Sequence, residues 1–501
     1  MHAQRFFGRK SQRTGVELLR DPLLNKGNSF TAKERKDLSL IGLLPVLEDA
    51  ASDTENSYQE LLALERLRKL SNDLDKYDYL MRLYDTDKIH FFRLIGRNVP
   101  ELLPLVYTPT VGLACENYAL VHGNGRGLFI PITEAGNIVS ILENWPTKDI
   151  RAVVVTDGEE VLGLGDLGAY AMGSVVGKLA LCPALAGIQP ETCLPIVLDV
   201  GTNNTKLLED PLYFGLRQKR ATGDNYNQFV NEFMQACSKV FGKDVFIQFE
   251  GFAHENALLF QQRYSVLYST FNDDSRSTAS ALLSGLFTAG RKTGRQLKDE
   301  IFVCFGDDDS MLDFTRLLVE TLKSRCSLNE REARSHIFMV DSQGLIVKNR
   351  SKGEMSADKA AFARPGQCLF AHGGPLPLHE TPNTSTTQPK VSQANSSYIF
   401  PGLVLGISAL RIQPITDGDF ITAAEAVSEV VTEADVNEGC LYPRWEKIRC
   451  VSYKVASKIG LSAFKQGRCH LKGLKEEDID KFIKELASYP DLITLHLIAH
   501  V

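Results

Sequence analysis

The sequence predicts an α/β chain with a helical N-terminal region, a central domain built on a largely parallel sheet, a second α/β unit, and a helical C-terminal return. Three observations predict it. Charged and apolar residues alternate at helical spacing from about residue 53 to 103. From about 127 to 250, short β-branched runs alternate with helical stretches. Near Glu300 a strand–helix–strand pattern starts again. At 501 residues the chain exceeds a single simple core, and two to four domains are expected.

In chain order, MHAQRFFGRKSQRTG carries Arg5, Arg9, Lys10 and Arg13 with no acid before Glu17. It reads as a basic solvated tail or a short mitochondrial presequence, and it lacks the apolar core of a secretory signal. YQELLALERLRKL and DYLMRLYDTDKIHFFRLI read as amphipathic helices. AVVVTD, LPIVLDV and VFIQFE read as strands, and NQFVNEFMQACSKVF as a helix between two of them. These strands end in Asp157, Asp199 and Glu250. Ligands of open parallel sheets bind outside the carboxyl ends of the strands, so acids there are functional candidates. IFVCFG is a strand, MLDFTRLLVETLKS a helix and HIFMVDS a second strand. Residues 373–397 are rich in Pro, Ser and Thr and read as a linker. FPGLVLGISALRI and FITAAEAVSEVVTEADV return to helix.

A 44% hydrophobic and 24% charged composition fits a globular chain. A net charge of −6 with both signs dispersed argues against a nucleic-acid or anionic-membrane partner. No apolar run approaches the roughly 20 residues that cross a bilayer. Ten scattered cysteines without a CxxC pair favour a reducing compartment, cytoplasm or mitochondrion.

Several residues are suited to acid–base or metal chemistry. Glu250, Asp273 and Asp274 are carboxylates from separate segments, of the type that holds Mg²⁺ or Mn²⁺, although acids of this kind also serve as solvated turns and helix caps. Lys178 lies directly before apolar residues in GSVVGKLALC; it is a desolvated base or a snorkelling surface lysine. Tyr107, before the TPT turn, is a general acid or a packed tyrosine. Gly163, Gly165 and Gly168 of LGLGDLG permit a tight loop near a ligand, a weak signal by itself.

The wording of the chain from about residue 15 to 450 resembles the malic enzymes. The resemblance rests on YTPTVGLAC, RGLFI, VVTDGE, LGLGDLG, VGKLAL, CLPIVLDVGTNN, DPLYFGLRQKR, TFNDD, VDSQGLIVK and SSYIFPGLVLG, in that order. It implies oxidative decarboxylation of malate to pyruvate and CO2 with NAD or NADP and Mg or Mn. It also implies a homo-oligomer, or a hetero-oligomer with an active relative, and malate or a related small dicarboxylate as ligand. By this resemblance Tyr107 matches the general acid, Lys178 the general base and Asp273 the carboxylate that supports the lysine. Glu250 and Asp274 match two metal ligands, Gly306 and Asp341 match cofactor positions, and Asn395 matches a substrate amide. The implied domains are an N-terminal helical region at 1–105, a catalytic α/β domain at 106–285, a truncated Rossmann-like domain at 286–400 that includes the linker, and a C-terminal helical segment at 401–501.

The pattern breaks at specific positions. Gly251 stands where the family's third metal carboxylate is expected, and Glu160 where an arginine grips the substrate. Gly306 is followed by Asp307, Asp308 and Asp309 where glycines would admit a diphosphate to a helix N-terminus. NDDSRSTA places Ser275, Arg276 and Ser277 at cofactor-cleft positions. Between Asp341 and Tyr398 there is too little chain for the remaining strand–helix units, each of which takes about 30 residues. The resemblance and its breaks together imply an impaired or inactive relative, or a pseudoenzyme that binds or regulates an active one.

Overall fold

The computed structural model describes residues 13–46, 58–121, 123, 125–273, 275–306, 309–341, 344–345, 371–372 and 392–487. Asp274, Asp307, Asp308, residues 1–12, most of the 373–397 linker and the tail from 488 fall outside that set. The chain divides into two units, Met1–Ala257 with Asp480–Val501, and Leu258–Ile479.

In the first unit the helical spacing of the N-terminal region becomes the helices Tyr58–Arg68, Asp73–Thr86, Lys88–Arg97 and Val99–Val106. Side chains cap two of them: Asn72 accepts from the Asp75 N–H, and Asp87 from the His90 N–H. Four strands follow: β1 (Leu128–Pro131), β2 (Ala152–Thr156), β3 (Cys193–Asp199) and β4 (Phe246–Phe249). They run parallel in the order β1–β3–β2–β4, with Val155 beside Ile196 on one side and Phe249 on the other. β2, β3 and β4 are buried along their whole length, which explains why they read as continuous apolar runs rather than alternating ones.

The crossover from β2 to β3 contains the helix Met172–Ala186, in which every residue is buried, and the crossover to β4 contains Gly223–Phe241. Here the structure corrects the expectation that no apolar run approaches bilayer length. Gly168–Ala186 is long and apolar enough to span one, yet it is wholly buried as a core helix of this unit.

In the second unit β5 (Ser269–Asn272) leads into the helix Arg276–Thr293. β6 (Phe302–Phe305), the helix Asp309–Cys326 and β7 (Ile337–Asp341) then form a parallel pair, in which Val303 lies beside Phe338 and Phe305 beside Val340. β8 (Gly344–Leu345) closes this sheet antiparallel to β7. On this pair Val303, Phe305 and Phe338 are 66%, 50% and 41% exposed. The C-terminal return consists of Phe400–Leu410, Asp417–Val430, Glu433–Asn437 and Ile448–Lys465. The single helical stretch expected over FITAAEAVSEVVTEADV is broken in two, because Thr432 and Asp435 form a capping box that starts a new helix. A buried Arg468–Asp419 pair at 2.7 Å secures the return from within.

Candidate active site

β4 delivers the central carboxylate. Glu250 follows its last residue and still donates its N–H to the Val155 carbonyl at 2.9 Å, so its side chain stands at the carboxyl end of the sheet. Two residues earlier on the same face, Gln248 donates its amide Nε2 to Glu250 Oε2 at 2.6 Å. Lys178 lies in the buried helix Met172–Ala186. Its neighbour Gly177 explains how that helix reaches Tyr107: a Cβ there would stand 2.9 Å from the Val106 carbonyl and 3.4 Å from the Tyr107 ring. The close approach leaves the Tyr107 hydroxyl donating to Glu250 Oε1 at 3.3 Å, and Lys178 Nζ 3.6 Å from Glu250 Oε2 and 5.6 Å from the Tyr107 ring centre. Lys178 and Glu250 side chains are 4% and 6% exposed, so the lysine does not snorkel.

The other two strand-end acids do not join this site. Asp199 accepts the N–H groups of Gly201 at 3.2 Å and Leu216 at 2.8 Å and organises its own loop. Asp157 accepts the Tyr226 hydroxyl at 2.5 Å and pairs with Arg220 at 3.2 Å. Arg220, which sequence reasoning passed over, is buried. It also reaches Asp166 at 3.2 Å, Glu159 at 3.8 Å and the Asp157 carbonyl at 2.6 Å. Burial raises the Asp157 carboxyl above its ordinary range, although Arg220 and Tyr226 pull it down. Burial also raises Glu159, as does the neighbouring Asp157 charge. The clamp fixes the glycine-rich loop of Gly163, Gly165 and Gly168 through Asp166, which takes the Thr202 hydroxyl at 2.7 Å and the Asn203 N–H at 2.7 Å. That loop folds on its own protein partners. Glu160 donates its N–H to the Gly251 carbonyl at 2.9 Å while its side chain is exposed. The signal that points to Arg220 is the excess of acids at strand ends, which need a buried cation.

The second unit holds the remaining candidates. Asp273 is buried and accepts a short hydrogen bond from Ser277. Ser275 bonds Asp313, and Arg276 pairs with Asp417 at 2.7 Å, so all three residues at cofactor-cleft positions have partners inside this unit. Gly306 follows β6 at φ +135° and donates its N–H to the Val340 carbonyl at 2.8 Å, while Asp341 ends β7. Asn395 caps the turn Ser396–Tyr398 by accepting the Ser397 N–H at 2.9 Å.

Family comparisons match both units. The malic enzyme N-terminal domain matches residues 84–265, and the malic enzyme NAD binding domain matches 276–365 and 350–464. The chain belongs to the malic enzyme family. The human NADP-dependent malic enzyme is 38% identical over 524 aligned positions, covering 91% of this chain and 90% of that protein. The mitochondrial NAD-dependent malic enzyme of Ascaris suum is 36% identical, covering 94% of this chain and 83% of that one. A crystal structure of the Entamoeba histolytica malic enzyme aligns with a TM-score of 0.48 at 19% identity, over 90% of this chain and 92% of that one.

The groups implied by the family can be tested against the residues present. Among the described residues no cluster of three or more His, Cys, Asp or Glu side chains could hold a metal ion. Glu250 faces a lysine, a phenol and an amide N–H, and Gly251 offers no carboxylate. Asp274, the other implied ligand, lies outside the described residues, so Glu250 is the one member of that set seen in this cluster. The residues matched to the NAD binding domain include β6, the helix Asp309–Cys326, β7 and β8, and an aspartate is the first residue of that helix.

Proposed function

We propose that this malic-enzyme homologue has an impaired or lost capacity for the oxidative decarboxylation of malate to pyruvate and CO2. The observation that carries the reading is the run Asp307, Asp308 and Asp309 after Gly306, three negative charges where a dinucleotide's diphosphate would meet the start of the helix Asp309–Cys326. The proton-carrying half of the site stands apart from this loss. Tyr107 and Lys178 converge on Glu250 in a buried setting, and by family resemblance they are the general acid and general base. Asp273, with Ser277 on it, is the carboxylate at the lysine-supporting position, and Asn395 is at the substrate-amide position. In that role Lys178 would act as the neutral amine and take the hydroxyl proton of malate.

A second reading is a catalytically silent binding or regulatory subunit of an active malic enzyme, in the cytoplasm or mitochondrion. The paired Val303 and Phe338, both exposed on β6 and β7, favour it, because exposed apolar patches mark protein contacts. One experiment tests both readings: NAD(P)H formation from malate and Mn²⁺ by the full chain, beside Lys178→Ala, together with equilibrium binding of NAD and NADP. The expected result is no saturable cofactor binding at millimolar concentrations and no turnover above the variant. Turnover that disappears in Lys178→Ala refutes the loss.

A further inference from the structure

We infer that the carboxylate cluster around Arg220 is a pH-sensitive latch on the glycine-rich loop 158–168, with Glu159 as the member that takes up the proton. The loop is pinched at its neck, where the N–H groups of Leu167 and Gly168 donate to the Gly158 carbonyl at 2.9 and 3.2 Å. A Cβ on Gly158 would stand 2.2 Å from the Gly168 carbonyl oxygen, so the two ends of the loop are in contact. Three carboxylates, Asp157, Glu159 and Asp166, share one guanidinium, and full ionisation sets three negative charges against one positive. The three are not held alike. Asp157 takes the Tyr226 hydroxyl at 2.5 Å, the Glu159 N–H at 3.1 Å and Arg220 at 3.2 Å. Asp166 takes the Thr202 hydroxyl and the Asn203 N–H at 2.7 Å, the Gly168 N–H at 3.0 Å and Arg220 at 3.2 Å. Glu159 has the Asn256 amide at 3.3 Å and Arg220 at 3.8 Å. It is the most weakly neutralised of the three and, at 30% exposed, the one most open to water. The groups that face it are Asp157 at the end of β2, Asp166 on its own loop, Arg220 before the helix Gly223–Phe241 and the Tyr226 phenol on that helix. Burial raises the Glu159 carboxyl above its ordinary range, the Asp157 and Asp166 charges push it the same way, and Arg220 offsets part of that. A carboxyl raised by closure of the loop favours closure below its ordinary pKa, and that contribution is lost as pH climbs through the raised value. Acid therefore latches the loop, and rising pH loosens it.

The test is hydrogen exchange of the full chain read by mass spectrometry from about pH 4.5 to about pH 8, corrected for the intrinsic pH dependence of amide exchange. The reporters are the loop amides of Glu160, Val161 and Leu164, bonded to the carbonyls of Gly251 at 2.9 Å, Gly165 at 3.0 Å and Val161 at 2.8 Å. The expected result is a protection of these amides that falls roughly three- to tenfold across the range. Glu159→Gln keeps the side chain's shape and removes its charge, and its protection is expected to stay at the acid-side level throughout. Asn256→Asp sets a further carboxylate beside Glu159 and is expected to deepen the fall. Flat protection in the wild type overturns the latch, and so does an unchanged fall in Glu159→Gln. A fall matched by the amides of the helix Met172–Ala186 also overturns it, because the whole unit rather than the loop is then loosening. If Glu159→Gln does not fold, Asn256→Asp decides: a deeper fall supports the latch, and an unaltered one refutes it. These readouts need neither cofactor nor turnover. A chain that forms NAD(P)H from malate refutes the proposed loss and leaves the latch standing, and a silent chain with flat protection does the reverse.

Discussion

Replacing Arg220 by methionine keeps most of the side-chain bulk and removes a cation shared by Asp157 and Asp166 at 3.2 Å and Glu159 at 3.8 Å. The guanidinium is 2% exposed and its Asp157 partner 0%, so water cannot take over the lost contact. Removing one partner of a buried pair costs about 3–5 kcal/mol. In a unit of this size each kcal/mol moves the melting temperature about 2–4 °C, which gives an expected fall of roughly 10 °C. The pH dependence carries a second signature. Burial already holds the Asp157 pKa above its ordinary value, and Arg220 is the strongest influence pulling it down. Without Arg220 that pKa rises further. A carboxyl raised on folding contributes stability that is complete below its unfolded pKa and is lost as pH climbs through the folded one. The deficit of Arg220→Met is therefore expected to be smaller at about pH 5 than at about pH 7.5. Urea melts followed by circular dichroism at both pH values check this. A deficit below about 1 kcal/mol, or one equal at the two pH values, would refute the assignment of Arg220 as the charge that holds this loop.

Two further outcomes are expected. Burial raises the Asp87 carboxyl to about 7, while its side chain accepts the His90 N–H at 2.9 Å. Asp87→Asn keeps an acceptor for that cap and removes the buried charge. It should leave stability near pH 4 unchanged and gain up to about 4 kcal/mol near pH 8, where the wild-type contribution has been lost on passing its folded pKa; a loss at pH 8 in thermal melts would show that the cap needs the charge. Gly177→Ala places a methyl 2.9 Å from the Val106 carbonyl. It should cost about 1–3 kcal/mol by overpacking, read from denaturant midpoints, and a neutral result would show that the helix is not held against the Tyr107 segment.

The elements that read clearly in the sequence are those with a strong period or a continuous apolar run. β2 and β3 are buried on both faces, and their β-branched strings say so directly. The apolar stretch ending at Ala186 is missed by the expectation of no bilayer-length run; a core helix and a membrane span share its composition, and only packing separates them. Lys178 and Tyr107 were ambiguous for a similar reason. Burial and the glycine that admits it are tertiary facts, visible only once Val106 and Gly177 are seen to touch closely. Arg220 escaped notice because RQKR looks like a solvated basic run, and nothing in its spacing marks one of its members as the partner of acids more than fifty residues away. Asp157 and Asp199, by contrast, looked functional from position and proved to be loop anchors.

The backbone at position 251 also bears on how this chain can change over time. The Cβ of an aspartate there would stand 3.3 Å from the Glu160 carbonyl and the Thr156 hydroxyl, while its left-handed backbone is one that Asp, unlike most residues, can enter. A carboxylate at this position is therefore opposed by crowding more than by backbone strain, and the loop must give by a few tenths of an ångström to take it.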